Sequence, residues 1–106
     1  MQTTITARHC EVPDVLRERA RVVAGRLGTL ASRPLEAAVV FDADGLAQIV
    51  ELRLHDSRGE IFVATGEGAD HRSALDRAEA KLRRQLERAN GRPRTRRARP
   101  GPTPSS

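Results

Sequence analysis

The sequence predicts a two-layer α+β domain of the order β-α-β-β-β-α, in which a four-stranded sheet carries both helices on one face. Three observations lead to this prediction. Two segments repeat their apolar residues every three or four positions, which is typical of amphipathic helices. The segment between them alternates apolar and polar residues, which is typical of half-buried strands. Turn signals divide that middle segment into three strands, and a short β-rich segment before the first helix supplies the fourth.

The chain begins with a strand over residues 3–8 and continues into the first helix. Pro13 fits the first turn of this helix, because that position needs no backbone N–H. The helix runs to about Ala31, but Gly25 and Gly28 each weaken it by roughly 1 kcal/mol relative to alanine, so it could end near either. Its apolar face is formed by Leu16, Ala20, Val23, Leu27 and Leu30.

Three strands form the predicted meander. Residues 35–41 are rich in β-forming side chains, and an Asp-Gly pair that signals a tight turn follows them. Residues 46–55 alternate, and a second turn over 56–59 leads into the last strand, 60–66. One face of the alternating strand is formed by Leu46, Gln48, Val50, Leu52 and Leu54.

The last helix is expected to begin after an N-cap at Asp70 and to run to about Ala89. Asn90 and the glycine after it form a helix stop. Residues 91–106 contain only Gly, Pro, Arg, Thr, Ala and Ser, which predicts a disordered basic tail. We therefore expect one folded domain over residues 1–90, followed by this tail.

Charge is sorted along the chain. Residues 1–90 carry 14 basic and 14 acidic side chains, so the net charge of +5 comes from the tail. Residues 8–34 sum to +3 and residues 68–90 to +2, whereas residues 35–67 sum to −5. This layout directs one side of the domain toward a polyanion.

The last helix carries a row of cations beside its apolar face. Both rows recur at steps of three or four, so each lies along one side of the helix. Like charges in a row repel one another and are not expected to support the fold, but they suit a chain of phosphates. A merely solvated face is the alternative, since neighbouring acids offset part of the charge. We call this row the basic stripe: Arg77, Lys81, Arg84 and Arg88.

Nothing in the sequence points to catalysis, a metal or a cofactor. Cys10 is a single thiol, and His9, His55 and His71 are scattered and expected at the surface. No Gly-rich phosphate loop, HExxH pair or small-molecule site is recognisable. No apolar run is long enough to span a membrane and no secretion signal is present, so a cytoplasmic location is expected.

The aromatic content indicates which nucleic acid would fit. Phe41 and Phe62 are the only aromatic rings of the Phe, Tyr and Trp type, and both are expected in the core. Proteins that read single-stranded bases stack them on exposed aromatics. The stripe therefore predicts binding to folded RNA through shape and phosphate.

Two patterns in the chain are similar to those of a known family. The first lies in the last helix, where Leu75-Asp76 is followed by Ala78-x-x-Lys81-Leu82-x-Arg84-Gln85-Leu86. The second lies near the start of the chain and reads Ile5-Thr6, then Glu11-Val12-x-Asp14-x-Leu16-Arg17. Over residues 2–90 the chain resembles the ribosome hibernation promoting factors, also called ribosome-associated inhibitor or protein Y.

The resemblance implies a partner and a mode of action. Members of that family bind the small ribosomal subunit in the decoding channel, where they overlap the sites of messenger RNA and transfer RNA. They keep assembled ribosomes idle when growth slows, as in stress or stationary phase. The basic face of their helices contacts ribosomal RNA. The chain is similar to the short members, which lack a second domain, although its tail is basic where protein Y has an acidic one.

Six residues are expected to bind RNA. Lys81, Arg84 and Arg88 match basic positions of the family's last helix, and Arg17 matches the arginine of its first-helix motif. Arg8 stands where some members carry a lysine, whereas Arg77 is included by spacing alone. Arg72 departs from the pattern, because many members have an aromatic residue there. The expected set is Arg8, Arg17, Arg77, Lys81, Arg84 and Arg88.

Other functions remain open from the residues. The chief alternative is a free-standing binder of structured RNA without a ribosomal target. A module that binds another protein through the acidic side of the sheet, and a small enzyme that uses a histidine, are further alternatives.

Overall fold

The computed structural model describes residues 1–90, which form the predicted β-α-β-β-β-α order. The predicted tail, 91–106, lies outside the described residues, and the division into a domain and a tail stays a prediction. The elements are β1 (Gln2–Ala7), α1 (Asp14–Leu30), β2 (Pro34–Asp44), β3 (Ala47–Asp56), β4 (Ile61–Gly68) and α2 (His71–Asn90).

The four strands form one mixed sheet in the order β1-β2-β3-β4. β1 runs parallel to β2, with Gln2 opposite Glu36, whereas β2–β3 and β3–β4 are antiparallel. Parallel neighbours need a crossover, and α1 provides it. β4 and β1 are therefore the two edges of the sheet.

The core lies between the sheet and the two helices, as the alternation predicted. Phe41 is fully buried and Phe62 packs against the core from β4. The apolar faces of both helices are buried against the sheet, although Leu16, Leu30 and Ala89 stay partly exposed. Neither helix in the described part of the chain is both long and apolar enough to cross a membrane.

Helix α1 differs from the prediction at its start. Pro13 is the N-cap residue with φ −66° and ψ 156°, one position before the helix, and its carbonyl accepts the N–H groups of Leu16 and Arg17. The helix continues through Gly25 and Gly28 to Leu30. Gly28 is buried, so packing outweighs the weak helix preference of glycine there.

One residue that was predicted to face the core, Leu46, lies instead in the β2–β3 turn. Leu46 was expected on the same face as Val50, but it lies in the turn and is 96% exposed. Gly45 precedes it with φ +63°, a conformation that glycine adopts without strain. The pleated alternation therefore begins only at Ala47, where β3 starts.

Gly66 sets how closely α2 approaches β4. A Cβ at this position would lie 2.1 Å from the carbonyl oxygen of Ala74 and 2.6 Å from the backbone nitrogen of Ala78. Both contacts are with helix backbone, which cannot move aside as a flexible side chain would. The helix and the strand are in direct backbone contact here, and only glycine fits.

The start of α2 is capped as expected. The carboxylate of Asp70 accepts the backbone N–H of Ser73 at 2.7 Å, and its carbonyl accepts that of Ala74. The bond from the Ser73 backbone holds the pKa of the Asp70 carboxyl below its usual range. Asp70 thus supports the helix in its charged form.

A test of the close contact compares two glycine substitutions. Gly66→Ala should lower the free energy of unfolding by about 1–3 kcal/mol, because α2 must move away from the strand. Gly25→Ala should raise it by about 0.5–1 kcal/mol, because the site meets open space within a helix. Urea unfolding followed by circular dichroism measures both, and a neutral Gly66→Ala would contradict the contact.

A second test uses the pH dependence of the α2 cap. Because the folded pKa of Asp70 is lowered, its contribution is present above the unfolded pKa and is lost as pH falls through the folded pKa. The melting temperature of the wild type should exceed that of Asp70→Ala at neutral pH, and this gap should shrink in acid. Asp70→Asn keeps a capping side chain that does not titrate, so its melting temperature should exceed that of Asp70→Ala by the same amount at every pH. If the difference between the wild type and Asp70→Ala were equally independent of pH, the assignment would be refuted.

Candidate nucleic-acid interface

The basic stripe lies along the side of α2 that borders the free edge of β4. All four of its side chains are exposed. They extend over three turns of helix, about 16 Å at the usual rise per residue. The face is therefore long enough to follow several phosphates of an RNA backbone.

Two members of the stripe also support the fold, contrary to the expectation that the row would not. Arg77 Nη1 donates to the carbonyl of Glu67 at 2.5 Å, and Lys81 Nζ donates to that of Thr65 at 2.8 Å. Both carbonyls lie on the outer edge of β4, which has no neighbouring strand. The spacing of the cations predicts that they share one side of α2, but spacing alone does not show which groups lie opposite them.

The other two members are unengaged. The side chains of Arg84 and Arg88 make no hydrogen bond or ion pair with any residue in the range 1–90, and both are exposed. Arg88 lies in the last turn of α2, where a cation also complements the helix dipole. Their guanidinium groups are available to an anion.

Arg8 lies away from the stripe, just after β1. Its Nη2 is 3.7 Å from Asp42 Oδ2, and its side chain is 57% exposed. The neighbouring His9 Nδ1 lies 3.1 Å from Asp42 Oδ1, which also accepts the N–H of Ala43. These bonds, the one with His9 above all, hold the pKa of the Asp42 carboxyl below its usual range. Arg8 thus belongs to a surface cluster around a carboxylate.

Arg17 has a structural role at the start of α1. Its Nε donates to the carbonyl of Val12 at 3.3 Å, and the side chain is partly buried. α1 packs beside β1 and β2, whereas α2 covers β3 and β4. With strands about 4.8 Å apart, β1 and β4 are roughly 14 Å apart. The six expected residues therefore do not form one surface: four make up the stripe, whereas Arg8 contacts Asp42 of β2 and Arg17 contacts the backbone at the start of α1.

Two acidic residues of α2 have a role that the sequence did not reveal. Glu79 is largely buried and accepts bonds from Arg26 of α1 at 3.1 Å and Arg83 of α2 at 3.0 Å. Asp76 accepts a bond from Arg19 of α1 at 3.0 Å. Asp76 and Glu79 are thus engaged with arginines outside the stripe, whereas Glu87, the third acid of α2, is exposed. The only sequence signal was the position of Glu79, between Leu75 and Leu82 of the apolar row and four residues before Arg83.

The two ends of the helices are also joined. Asn90 Nδ2 donates to the carbonyl of Leu30 at 2.6 Å, which ties the end of α2 to the end of α1. The helix layer is thus held by polar bonds at Asp76, at Glu79 and at its last residue.

The histidines do not build a catalytic group. His9 is 78% exposed, and His55 lies on β3 facing Glu36 at 4.0 Å. His71 is half-buried rather than fully at the surface: its Nε2 contacts the carbonyl of Asp42 at 2.8 Å and its ring packs edge-on against Phe41. Residues 1–90 contain no group of three or more His, Cys, Asp or Glu residues that could hold a metal ion.

The acidic segment of the chain, residues 35–67, forms most of three of the four strands of the sheet. We call the sheet surface turned away from the helices the open face. Its charged side chains include Glu36 on β2, Glu51 and Arg53 on β3, and Glu67 on β4. The excess of acids on this face and the cations on α2 give the domain two sides of opposite character, as the charge sorting predicted.

Comparisons with known proteins agree with this architecture. The family model described as Sigma 54 modulation protein / S30EA ribosomal protein matches residues 3–94. The chain is similar in fold to a ribosomal subunit interface protein from Coxiella burnetii, with a TM-score of 0.76 and 20% identity over 87% of this chain and 100% of that one.

A second solved structure is more similar in sequence. The N-terminal domain of protein Y from Thermus thermophilus has a TM-score of 0.72 and is 28% identical over 84% of this chain and 99% of that one. No curated protein gives a significant sequence match. The family model covers both helices and all four strands, apart from the first residue of β1. The chain therefore belongs to the Sigma 54 modulation protein / S30EA ribosomal protein family, whose members are ribosome-associated modulation factors and not enzymes.

Proposed function

We propose that this protein is a hibernation factor that binds the small ribosomal subunit in the decoding channel and excludes messenger RNA and transfer RNA. Membership of a ribosome-associated family supports the ribosome as its partner. The observation that carries the proposal is the basic stripe, an exposed row of four cations on the helix side of a domain whose opposite face is mainly acidic.

The stripe is well prepared for phosphate. Lys81 Nζ has three N–H donors, of which one binds the carbonyl of Thr65. Arg77 has five N–H donors, of which one binds the carbonyl of Glu67. The strand edge thus holds both cations in place while leaving donors free, so less side-chain entropy is lost on binding. Arg84 and Arg88 supply two further charges with no internal partner in the described chain.

The mechanism requires no bond to form or break. The domain occupies the channel as a rigid body, and the cations hold it there against phosphates of ribosomal RNA. Arg8, whose side chain is mostly exposed, would add a separate, minor contact at the β1 side of the domain, whereas Arg17 would act mainly by holding the start of α1. We propose that this occurs in the cytoplasm when growth slows, in stress or stationary phase, and that it acts on assembled ribosomes through their small subunit.

The alternative function is binding to structured RNA without a ribosomal target. The same cations favour it, because phosphate contacts carry no sequence information by themselves. It differs from the hibernation proposal in predicting equal affinity for ribosomes and for plain duplex RNA.

Co-sedimentation with ribosomes, separated subunits and duplex RNA distinguishes the two functions. We expect the protein to pellet with the small subunit and to be displaced by transfer RNA. If about 4–6 phosphates are neutralised, affinity should fall by roughly two to three powers of ten between 50 and 200 mM salt. Equal binding to duplex RNA, or no competition by transfer RNA, would favour the free RNA binder.

Charge reversal at the two unengaged cations tests the stripe. Arg84→Glu with Arg88→Glu should weaken small-subunit binding by at least about tenfold, because two phosphate contacts become repulsive. The matched control is Arg53→Glu with Arg58→Glu, which changes the net charge equally but lies on the open face and in the β3–β4 turn. If both double variants bound equally well, the stripe would not be the contact.

Alanine substitutions separate the two kinds of stripe residue. Lys81→Ala should lower both binding and the free energy of unfolding, the latter by up to about 1 kcal/mol, because an edge carbonyl loses its donor. Arg84→Ala should lower binding alone. Urea unfolding beside the pelleting assay measures both quantities, and identical stability losses would show that the Lys81 bond contributes nothing.

A further inference from the structure

The free edge of β4 carries hydrogen-bonding groups that no strand satisfies. β4 pairs with β3 on one side only, through Phe62, Ala64 and their alternate neighbours. An edge of this kind is a template for pairing with another extended chain, and proteins usually protect it. The eight-residue length of β4 makes this edge longer than that of β1, which has six.

Three side chains of α2 close this edge. Arg77, Lys81 and Gln85 donate, in turn, to the carbonyls of three alternate β4 residues. The bond from Gln85 Nε2 to the carbonyl of Val63 is 2.8 Å long. We call these three side chains the edge seal. Gln85 follows Lys81 by one helical turn but has no charge. Its position beside the stripe is explained by its bond to the β4 edge and not by binding to a polyanion.

The seal follows from a match between two geometries. Donors spaced four residues apart on a helix are separated by about 6 Å along its axis. Carbonyls spaced two residues apart on a strand are separated by about 6.6–6.8 Å. α2 runs antiparallel to β4, so successive donors meet successive outward carbonyls. The backbone contact at Gly66 brings the helix close enough for all three to reach.

We propose that the edge seal prevents a second copy of this chain from pairing with β4, and that this edge is a latent dimerisation surface. The proposal goes beyond the ribosomal function and does not depend on it. A second copy fits because two β4 edges are self-complementary: an antiparallel pair about a two-fold axis exchanges N–H and C=O groups symmetrically.

Side chains at the edge are compatible with such a pair. Ile61 and Val63 are 52% and 37% exposed on the open face, so the joined sheets would cover apolar surface. Phosphate is excluded as an occupant of the carbonyl row, because it is an acceptor like the carbonyls themselves. In the sealed state, Arg77 and Lys81 also place two cations per copy at the edge, and these would repel a second molecule.

The test removes the seal without weakening the helix. Arg77→Ala, Lys81→Ala and Gln85→Ala are combined, since alanine is the best helix former. The matched control, Arg84→Ala with Arg88→Ala, removes the same number of positive charges from the same helix but leaves the seal intact. Both proteins are compared with the wild type by sedimentation velocity over a range of concentrations, after circular dichroism has shown them folded.

We expect the triple variant to form a dimer whose dissociation constant is at least about tenfold below that of the control, equivalent to about 1.4 kcal/mol. Amide hydrogen exchange then identifies the surface: the outward N–H groups of Val63, Thr65 and Glu67 should become protected in the dimer. A folded triple variant that stays monomeric like the control, or a dimer that leaves these amides unprotected, would overturn the proposal. If the triple variant unfolds, Lys81→Ala with Gln85→Ala serves against Arg84→Ala under the same criteria.

Discussion

The backbone contact between α2 and β4 at Gly66 is the constraint on which the rest of the structure depends. It brings the helix to the margin of the sheet, closer than any side chain at that position would allow. The apolar face of α2 then covers β3 and β4, and its other side borders the strand edge. The cations of the stripe are displayed from a helix whose position is set by backbone against backbone.

Ion pairs and hydrogen bonds of side chains also fix the position of α2. Glu79, between Arg26 and Arg83, fixes α1 against α2 from within the helix layer. Arg77 and Lys81 fix α2 against the sheet from outside. The helix is therefore held on both flanks by charged side chains, yet Arg84 and Arg88 remain free to meet a ligand. One amphipathic helix thus contributes to the core, closes an edge and presents a charged surface.

Local patterns sufficed to predict the element order, the buried faces and the position of the stripe. The helical period identified Leu75, Leu82 and Leu86 as buried, although Ala89 at the end of the same predicted row is partly exposed. The strand period identified Val50 and Leu52. Contacts between distant elements could not be predicted in this way. Spacing alone does not show that Lys81 meets a strand edge or that Arg17 bonds to the backbone of Val12, because both depend on how helices settle on the sheet. The prediction that Leu46 shares a face with Val50 was wrong for a related reason, because the β2–β3 turn extends over Leu46 and interrupts the alternation.

The mixed topology has a consequence for the order in which the domain assembles. Strands β2, β3 and β4 are joined by tight turns and are followed directly by α2, so their contacts close short loops. β1 instead reaches its place beside β2 only after the chain has passed through α1, with Gln2 opposite Glu36. Because closing that larger loop costs more entropy, we expect β1 to be the last strand to dock. We then expect local opening of the sheet to begin at this N-terminal strand, at the edge opposite the basic stripe.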